Sequence, residues 1–249
     1  MSDLHDDNVL AASIATAAGT LLLDLRAALV DPDLDTLKAE GDRSSHEFIM
    51  QELRRARPDD AVLSEEAADD AARLTAHRVW IVDPLDGTRE YGEGRSDWAV
   101  HVALVVDGTV VASAVALPGL GVTLTADPPT ALAPPRDGGP RLVVSRTRPP
   151  AIAEEVATAL GGTLVPLGSA GAKAMAVVRG EADVYLHSGG QYEWDSAAPV
   201  GVAAAAGLHT SRIDGSALHY NQENPWLPDL LICRRELADA VLALVNADA

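Results

Sequence analysis

Ile81-Val82-Asp83-Pro84-Leu85-Asp86-Gly87-Thr88 begins as the end of an extended run and breaks into a turn. Val79–Val82 is β-branched and aromatic, so it reads as a strand ending at Asp83-Pro84. Pro84 fixes the turn, and Gly87 lets the backbone approach a ligand closely. Two carboxylates three residues apart at such a break converge on one point. The N–H groups of Gly87 and Thr88, where they open a helical turn, face an anion. Converging carboxylates suit a hard cation such as Mg²⁺, whose shell is completed by water and substrate phosphate. Taken alone, the string also reads as an ordinary Asp-rich turn. Enzymes that form an aspartyl-phosphate pair nucleophile and acid as Asp-x-Asp. Here Leu85 stands two residues after Asp83, so direct attack by an activated water fits better.

Working outward, other carboxylates stand at the ends of neighbouring elements. Glu65-Glu66 follow the short strand Ala61–Ser64. Asp195, in Glu193-Trp194-Asp195-Ser196-Ala197-Ala198-Pro199, opens an alanine-rich helix. An Asp at a helix start is most often a plain N-cap. Trp194 ahead of it and closely packable residues behind would hold this one rigidly at a cleft. Asp42, in Glu40-Gly41-Asp42-Arg43-Ser44, reads as the N-cap of a helix over 42–57 that stops at Pro58.

Elsewhere the spacing predicts a helix over 7–30 with Asp6 or Asp7 as its cap, and strands 98–106 and 109–117 joined at Asp107-Gly108, a hairpin signal. Prolines crowd residues 126–140, which divide an N-terminal lobe (1–126) from a C-terminal lobe (141–249) across a loop at 127–140. The second lobe alternates: strand 141–144, helix 150–160, strand 163–167, helix 170–179, strand 184–187, helix 195–206, strand 230–233, helix 236–246. Alternation of this kind indicates layered α/β or α+β architecture.

Composition bounds the partners. The chain has 249 residues, and 19 Lys+Arg against 37 Asp+Glu give a formal charge of −18. Such a field repels phosphate backbones, which excludes a protein that holds a nucleic acid polymer through general basicity. It leaves room for a small phosphate ester held locally through metal ions. Cys233, the one cysteine, lies in an apolar run and reads as a packed thiol. The N-terminus lacks the pattern of a signal peptide, and no uninterrupted apolar stretch spans a membrane, so a cytoplasmic location is expected.

Asp-Pro-Leu-Asp-Gly-Thr at 83–88, Ser-Glu-Glu at 64–66 and Trp-Asp-Ser-Ala-Ala at 194–198 resemble the signature of the inositol monophosphatase superfamily. The resemblance implies a layered αβαβα sandwich and a Mg²⁺-dependent, lithium-sensitive phosphomonoesterase. Glu65, Asp83 and the Leu85 carbonyl would hold one metal, and Asp83, Asp86 and Asp195 a second, with a third near Glu65 in some members. Asp42 and Thr88 match the family's water-activating pair, although Ala39 and Glu40 stand where relatives usually carry Thr. Gly87 and Thr88 would also contact substrate. Dimers are common in the family, which leaves a homodimer open.

Within the superfamily the chain most resembles bacterial CysQ-type enzymes, which remove the 3′-phosphate of 3′-phosphoadenosine 5′-phosphate; their sulfated analogue links them to sulfate assimilation. Inositol 1-phosphate and fructose 1,6-bisphosphate are the alternative substrates, and a silent binding homologue the third reading. Lys173 is one of two lysines in a chain that otherwise uses Arg. By the resemblance, Ser169 and Lys173 would meet the second phosphate of a nucleotide. Arg146, in Ser145-Arg146-Thr147-Arg148, would add a basic contact to the 5′-phosphate or ribose. His101 reads as a satisfied core or cleft residue, and Trp194 as packing behind Asp195.

Overall fold

The computed structural model describes residues 4–28 and 33–247. The run at Val79–Val82 is a strand, but it continues through the proline: β2 spans Arg78–Asp86. β1 (Ala61–Ser64) lies parallel to it, and β3 (Ala99–Val106), β4 (Thr109–Leu117) and β5 (Val122–Thr125) follow antiparallel in sequential order. The β3–β4 hairpin closes at Asp107 (φ 49°) and Gly108 (φ 79°), the positive pair that matches strand twist.

The second sheet contains β6 (Arg141–Ser145), β7 (Thr163–Leu167), β8 (Val184–Tyr192), β9 (His209–Ser211) and β10 (Trp226–Cys233), ordered β7-β6-β8-β10-β9. β6 runs parallel to β7 and β8, whereas β10 is antiparallel to β8 and β9. β5 and β9 are short and escaped the pattern reading. β8 and β10 extend well beyond the apolar runs that announced them. Cross-strand pairing through Gly189–Tyr192 and Trp226–Asp229 extends them, where hydrophobicity has already ended.

Helices cover both sheets. α1 (Leu4–Ala28) and α2 (Leu34–Ala56) lie on the outer face of the first sheet, where Ile14, Leu22, Ile49 and Leu53 pack on Trp80, Val82 and Val102. α5 (Ala170–Val178) and α6 (Glu193–Ala205) fill the space between the sheets, so Met175 and Val202 share one core with Val79, Ile81, Tyr185 and Ile232. α4 (Ala151–Ala159) and α7 (Arg235–Val245) close the far side through Val156, Val241, Leu142 and Leu231. The result is the αβαβα sandwich. Its cause is legible in Val79–Val82 of β2 and Leu230–Cys233 of β10, whose successive residues alternate between two apolar layers, so both runs are hydrophobic without a polar break.

Two helix starts need correction. α2 begins at Leu34, capped by Asp33, whose side chain accepts from Thr36 N–H at 2.9 Å. Asp42 is therefore an interior residue of that helix and caps nothing. Gly41 is tolerated there because α2 presses on the end of β2: a Cβ would stand 3.0 Å from both Leu85 and Tyr91. α6 starts at Glu193, which places Asp195 inside its first turn. α1 is long and apolar enough to cross a membrane by composition, yet Ala11, Ile14, Ala15, Ala18 and Leu22 are buried within the fold. Its expected last residues, 29–30, lie outside the described residues.

Candidate active site

A regular strand would send Asp83 and Asp86 to opposite faces. β2 avoids this with a bulge: Asp83 pairs with His101 of β3 but Asp86 with Ala99, so three steps on β2 face two on β3. The extra residue turns Asp86 back beside Asp83. With Asp195 from α6 they offer carboxylate oxygens that all lie within 4.8 Å of one another. Glu65 follows β1, with its N–H directed at the Val82 carbonyl, and lines the same cleft as Asp86 and Asp195. The four predicted carboxylates therefore meet at the ends of three elements.

Each is held from behind. Asp86 accepts Ala170 N–H at 3.1 Å and Gly171 N–H at 2.6 Å, at the N-terminus of α5. The fully buried His101 places Nε2 3.2 Å from Asp86 Oδ2 and puts Nδ1 2.9 Å from the Trp194 carbonyl. His101 thus bridges the Asp86 and Asp195 motifs, a role its place in an apolar strand gave no sign of. Asp195 accepts Tyr192 N–H at 2.6 Å, which leaves its other oxygen for the centre. Asp83 Oδ1 accepts Leu85 N–H at 3.0 Å, a local turn that aims the Leu85 carbonyl.

Crowding four carboxyls without a cation is unfavourable, and their protonation shows it. Burial, then the Asp195 carboxylate, pushes Glu65 up to about 7. Burial and Asp86 raise Asp195 to about 6, and burial with Glu65 raises Asp83 well above its ordinary value. Burial acts on Asp86 too, but the His101 imidazole and the Gly171 N–H outweigh it and hold that carboxyl low. A dense all-oxygen donor set is what a hard divalent cation requires. The residues fit such an ion.

Gly87 has φ 89° and caps α3 (Thr88–Gly92), so the anticipated helical turn forms. Thr88 Oγ1 lies 3.2 Å from Asp42 Oδ1 and 3.1 Å from the Leu85 carbonyl, either of which accepts its proton. Asp42, raised to about 6 by burial and by Glu66, reaches Thr88 from mid-helix.

The cluster opens on a cleft of about 950 Å³ whose lining includes Glu65, Asp86, Ser169, Lys173, Asp195 and Tyr192. Lys173 is no solvated helix flank. It is 5% exposed, its ammonium donates to the carbonyls of Gly168 and Ser169, and it sits over the Tyr185 ring. One of its three donors is left for the cleft. Ser169 caps α5 by accepting Ala172 N–H at 3.0 Å. Arg146 directs its guanidinium to Glu90 and Glu93 and is not among the residues lining the cleft, whereas Ser145, Thr147 and Arg148 are. Trp194 is partly buried against the central core and stacks on Tyr192.

A five-layer sandwich with a carboxylate cluster at its strand ends defines a metal-dependent phosphatase. The inositol monophosphatase family model matches residues 5–128 and 140–247, and the chain belongs to that family. It is 50% identical over 253 residues to a 3′-phosphoadenosine 5′-phosphate phosphatase of Mycobacterium leprae, an alignment covering 96% of this chain and 93% of the relative. It is 52% identical over 241 residues to the protein of that name from Mycobacterium bovis, covering 93% and 90%. Among solved structures, CysQ of Bacteroides thetaiotaomicron superposes with a TM-score of 0.79 at 25% identity, covering 93% of this chain and 98% of that one.

Proposed function

We propose that this chain is a Mg²⁺-dependent phosphatase that removes the 3′-phosphate of 3′-phosphoadenosine 5′-phosphate, giving AMP and inorganic phosphate. The observation that carries the reading is the carboxylate cluster opening on a cleft that also presents the buried Lys173 ammonium. The half-identical relatives of that name support the substrate. Glu65, Asp83 and the Leu85 carbonyl would hold one divalent ion and Asp83, Asp86 and Asp195 another, and the chemistry supplied there would be charge neutralisation at the phosphate and acidification of the attacking water.

The chain's own residues supply position and proton transfer. Thr88 Oγ1 donates to Asp42 and accepts from the attacking water. As that oxygen bonds to phosphorus and the in-line bond to the 3′-oxygen breaks, its proton passes to Thr88 while the Thr88 proton moves to Asp42, and the departing 3′-oxygen takes a proton from a solvent water in the cleft. An Asp42 carboxyl near 6 is ionised at neutral pH and ready to accept it. The Gly87 and Thr88 backbone meets the scissile phosphate, and Lys173, placed by the Ser169 cap, meets the second phosphate. Arg146 acts from the rim, exchanging its Glu90 and Glu93 partners for the ligand. The substrate is a freely diffusing ester, and the reading places the enzyme in the cytoplasm.

The test is phosphate release in Mg²⁺ from 3′-phosphoadenosine 5′-phosphate and from inositol 1-phosphate. The expected kcat/KM ratio favours the nucleotide by at least a hundredfold, and a ratio near or below one overturns the proposal. Lys173→Met should raise KM for the bisphosphate at least tenfold with a smaller change in kcat.

A further inference from the structure

Two charged residues outside the cleft are buried as deeply as the carboxylates inside it. Arg73, in the short helical turn Ala71–Thr75, is 1% exposed, and Glu193, the first residue of α6, is fully buried. Charges are hidden to this degree only where hydrogen bonds replace their water. Arg73 grips the Asp69 carboxylate through two nitrogens at 2.6 and 2.9 Å. Its remaining terminal nitrogen donates to Asn221 Oδ1 at 2.8 Å and to the Gln222 carbonyl at 2.9 Å. From the other side, the Glu193 carboxylate accepts Asn221 N–H at 2.6 Å and Gln222 N–H at 2.8 Å. Cation and anion are thus joined through two residues of the loop between β9 and β10.

That loop is tightly held. Asn221 has φ 60°, a left-handed conformation that Asn tolerates better than most residues, and its amide donates back to the Arg73 carbonyl at 3.0 Å. Buried charges of this kind are often no more stabilising than apolar side chains of similar volume, so stability alone does not account for them. Their place in the chain is more informative. Asp69 comes four residues after Glu65, and between them Ala67 N–H turns back on the Ser64 carbonyl. Asp70 then caps the helical turn that carries Arg73, so little slack separates Glu65 from the guanidinium. Glu193 stands two residues before Asp195, its own N–H held by the Pro225 carbonyl at 2.8 Å.

We propose that Arg73, Asn221 and Glu193 form a buried clamp that sets the separation of Glu65 and Asp195, and through it the affinity of the centre for divalent ions. The clamp rests on the ligand roles proposed above for Glu65 and Asp195. All three are positioning residues, and none of them lines the cleft. Crowded carboxylates repel one another in the metal-free protein, and the elements that carry them spread unless they are tied from outside. Mg²⁺ accepts only near-octahedral geometry at short distances, so a small spread of one carboxylate weakens binding. Partners that hold ligands from behind commonly change metal affinity about ten- to a hundredfold.

The test titrates Mg²⁺ by calorimetry and by half-maximal phosphate release from 3′-phosphoadenosine 5′-phosphate. It compares the native protein with Arg73→Met, Glu193→Gln, Asn221→Gly, Glu65→Gln and Asp7→Ala. Arg73→Met and Glu193→Gln should weaken Mg²⁺ at least tenfold, with KM for the nucleotide in saturating Mg²⁺ within twofold of native. Asn221→Gly keeps the left-handed turn and the N–H that meets Glu193 but removes the side-chain bridge, and should weaken Mg²⁺ at least threefold. Combined with Arg73→Met it should add less than twofold, because both break one link. Asp7→Ala, in the outer layer, should lower Tm and leave Mg²⁺ affinity within twofold. If Glu193→Gln and Asn221→Gly both bind Mg²⁺ within twofold of native, or Asp7→Ala weakens it as much as they do, the clamp is overturned. Loss of Mg²⁺ in Glu65→Gln beside native affinity in the clamp variants would remove the clamp and leave the ligand roles intact. Native affinity in Glu65→Gln would remove the ligand role itself, and the clamp with it.

Discussion

At Asp86, two N–H groups of α5 and the His101 imidazole converge on one carboxylate, and it alone among the four stays below its ordinary value. Asp83, with a single backbone donor, is raised by burial and by its acidic neighbours. The same residue type thus has two protonation tendencies a few ångströms apart, because one has compensating donors and the other awaits a cation. Asp83→Asn removes a charge that the centre needs and the metal-free fold does not. It should lower kcat by about a thousandfold or more, by analogy with losing an electrostatic clamp on transferred phosphate. The metal-free variant should keep or raise its Tm by a few degrees in calorimetry. Retention of most activity would mean that Asp83 does not hold the ion. The Asp-Pro-Leu-Asp-Gly-Thr string made this cluster legible in the sequence. His101 was not legible, since a histidine in Ala99–Val106 looks like any core residue until Asp86 is known to turn toward it.

At the scale of elements, α5 is the support on which the site depends most. Its first turn grips Asp86, Ser169 caps it, and Lys173 reaches back to the carbonyls that precede it. Gly171 makes that approach physically accessible: a Cβ there would stand 2.1 Å from His101 Nε2 and 3.0 Å from Asp86 Oδ2. Gly171→Ala gains helix propensity of about 1 kcal/mol but forces α5 outward at an overpacking cost of about 1–3 kcal/mol. The expected outcome is a lower Tm and Mg²⁺ affinity weakened at least tenfold, read by thermal denaturation and metal titration. An unchanged metal affinity would show that α5 does not set the Asp86 position. Element existence was readable from apolar runs and punctuation. Element ends were not, because α2 and β8 run past those signals on helix continuity and cross-strand pairing.

Across the whole molecule, the raised carboxyls couple stability to pH. Glu65, near 7, and Asp42 and Asp195, near 6, have lower values once unfolded, so the folded chain binds more protons through roughly pH 4 to 7. Stability of the metal-free protein therefore falls as pH rises through that window. Calorimetry without metal should give a lower Tm at pH 8 than at pH 5.5 from these groups, and millimolar Mg²⁺ should restore more at pH 8. A metal-free Tm that rises across the window, with no Mg²⁺ effect, would contradict the cluster's electrostatics. In the outer layer Asp7 is wholly buried and paired with Arg57 and Arg78, joining α1, the C-cap of α2 and β2. Asp7→Ala takes the carboxylate from Arg57 while Arg78 keeps Asp60, and should cost about 1–3 kcal/mol in denaturant unfolding.

By itself, the sequence determined that the chain alternates strands and helices, that Asp83, Asp86, Glu65 and Asp195 stand at element ends, and that its acidic field rejects polyanions away from a metal. Those features follow from local rules of periodicity, turn chemistry and charge. Only the tertiary structure decided that the carboxylates share one point, because a bulge against β3 reverses the facing of Asp86. It also decided that Asp42 reaches Thr88 from inside a helix, and that His101 of β3 stands between Asp86 and the Trp194 carbonyl. Each of these depends on residues far apart in the chain. Packing between layers sets their approach, and no short-range pattern encodes that distance.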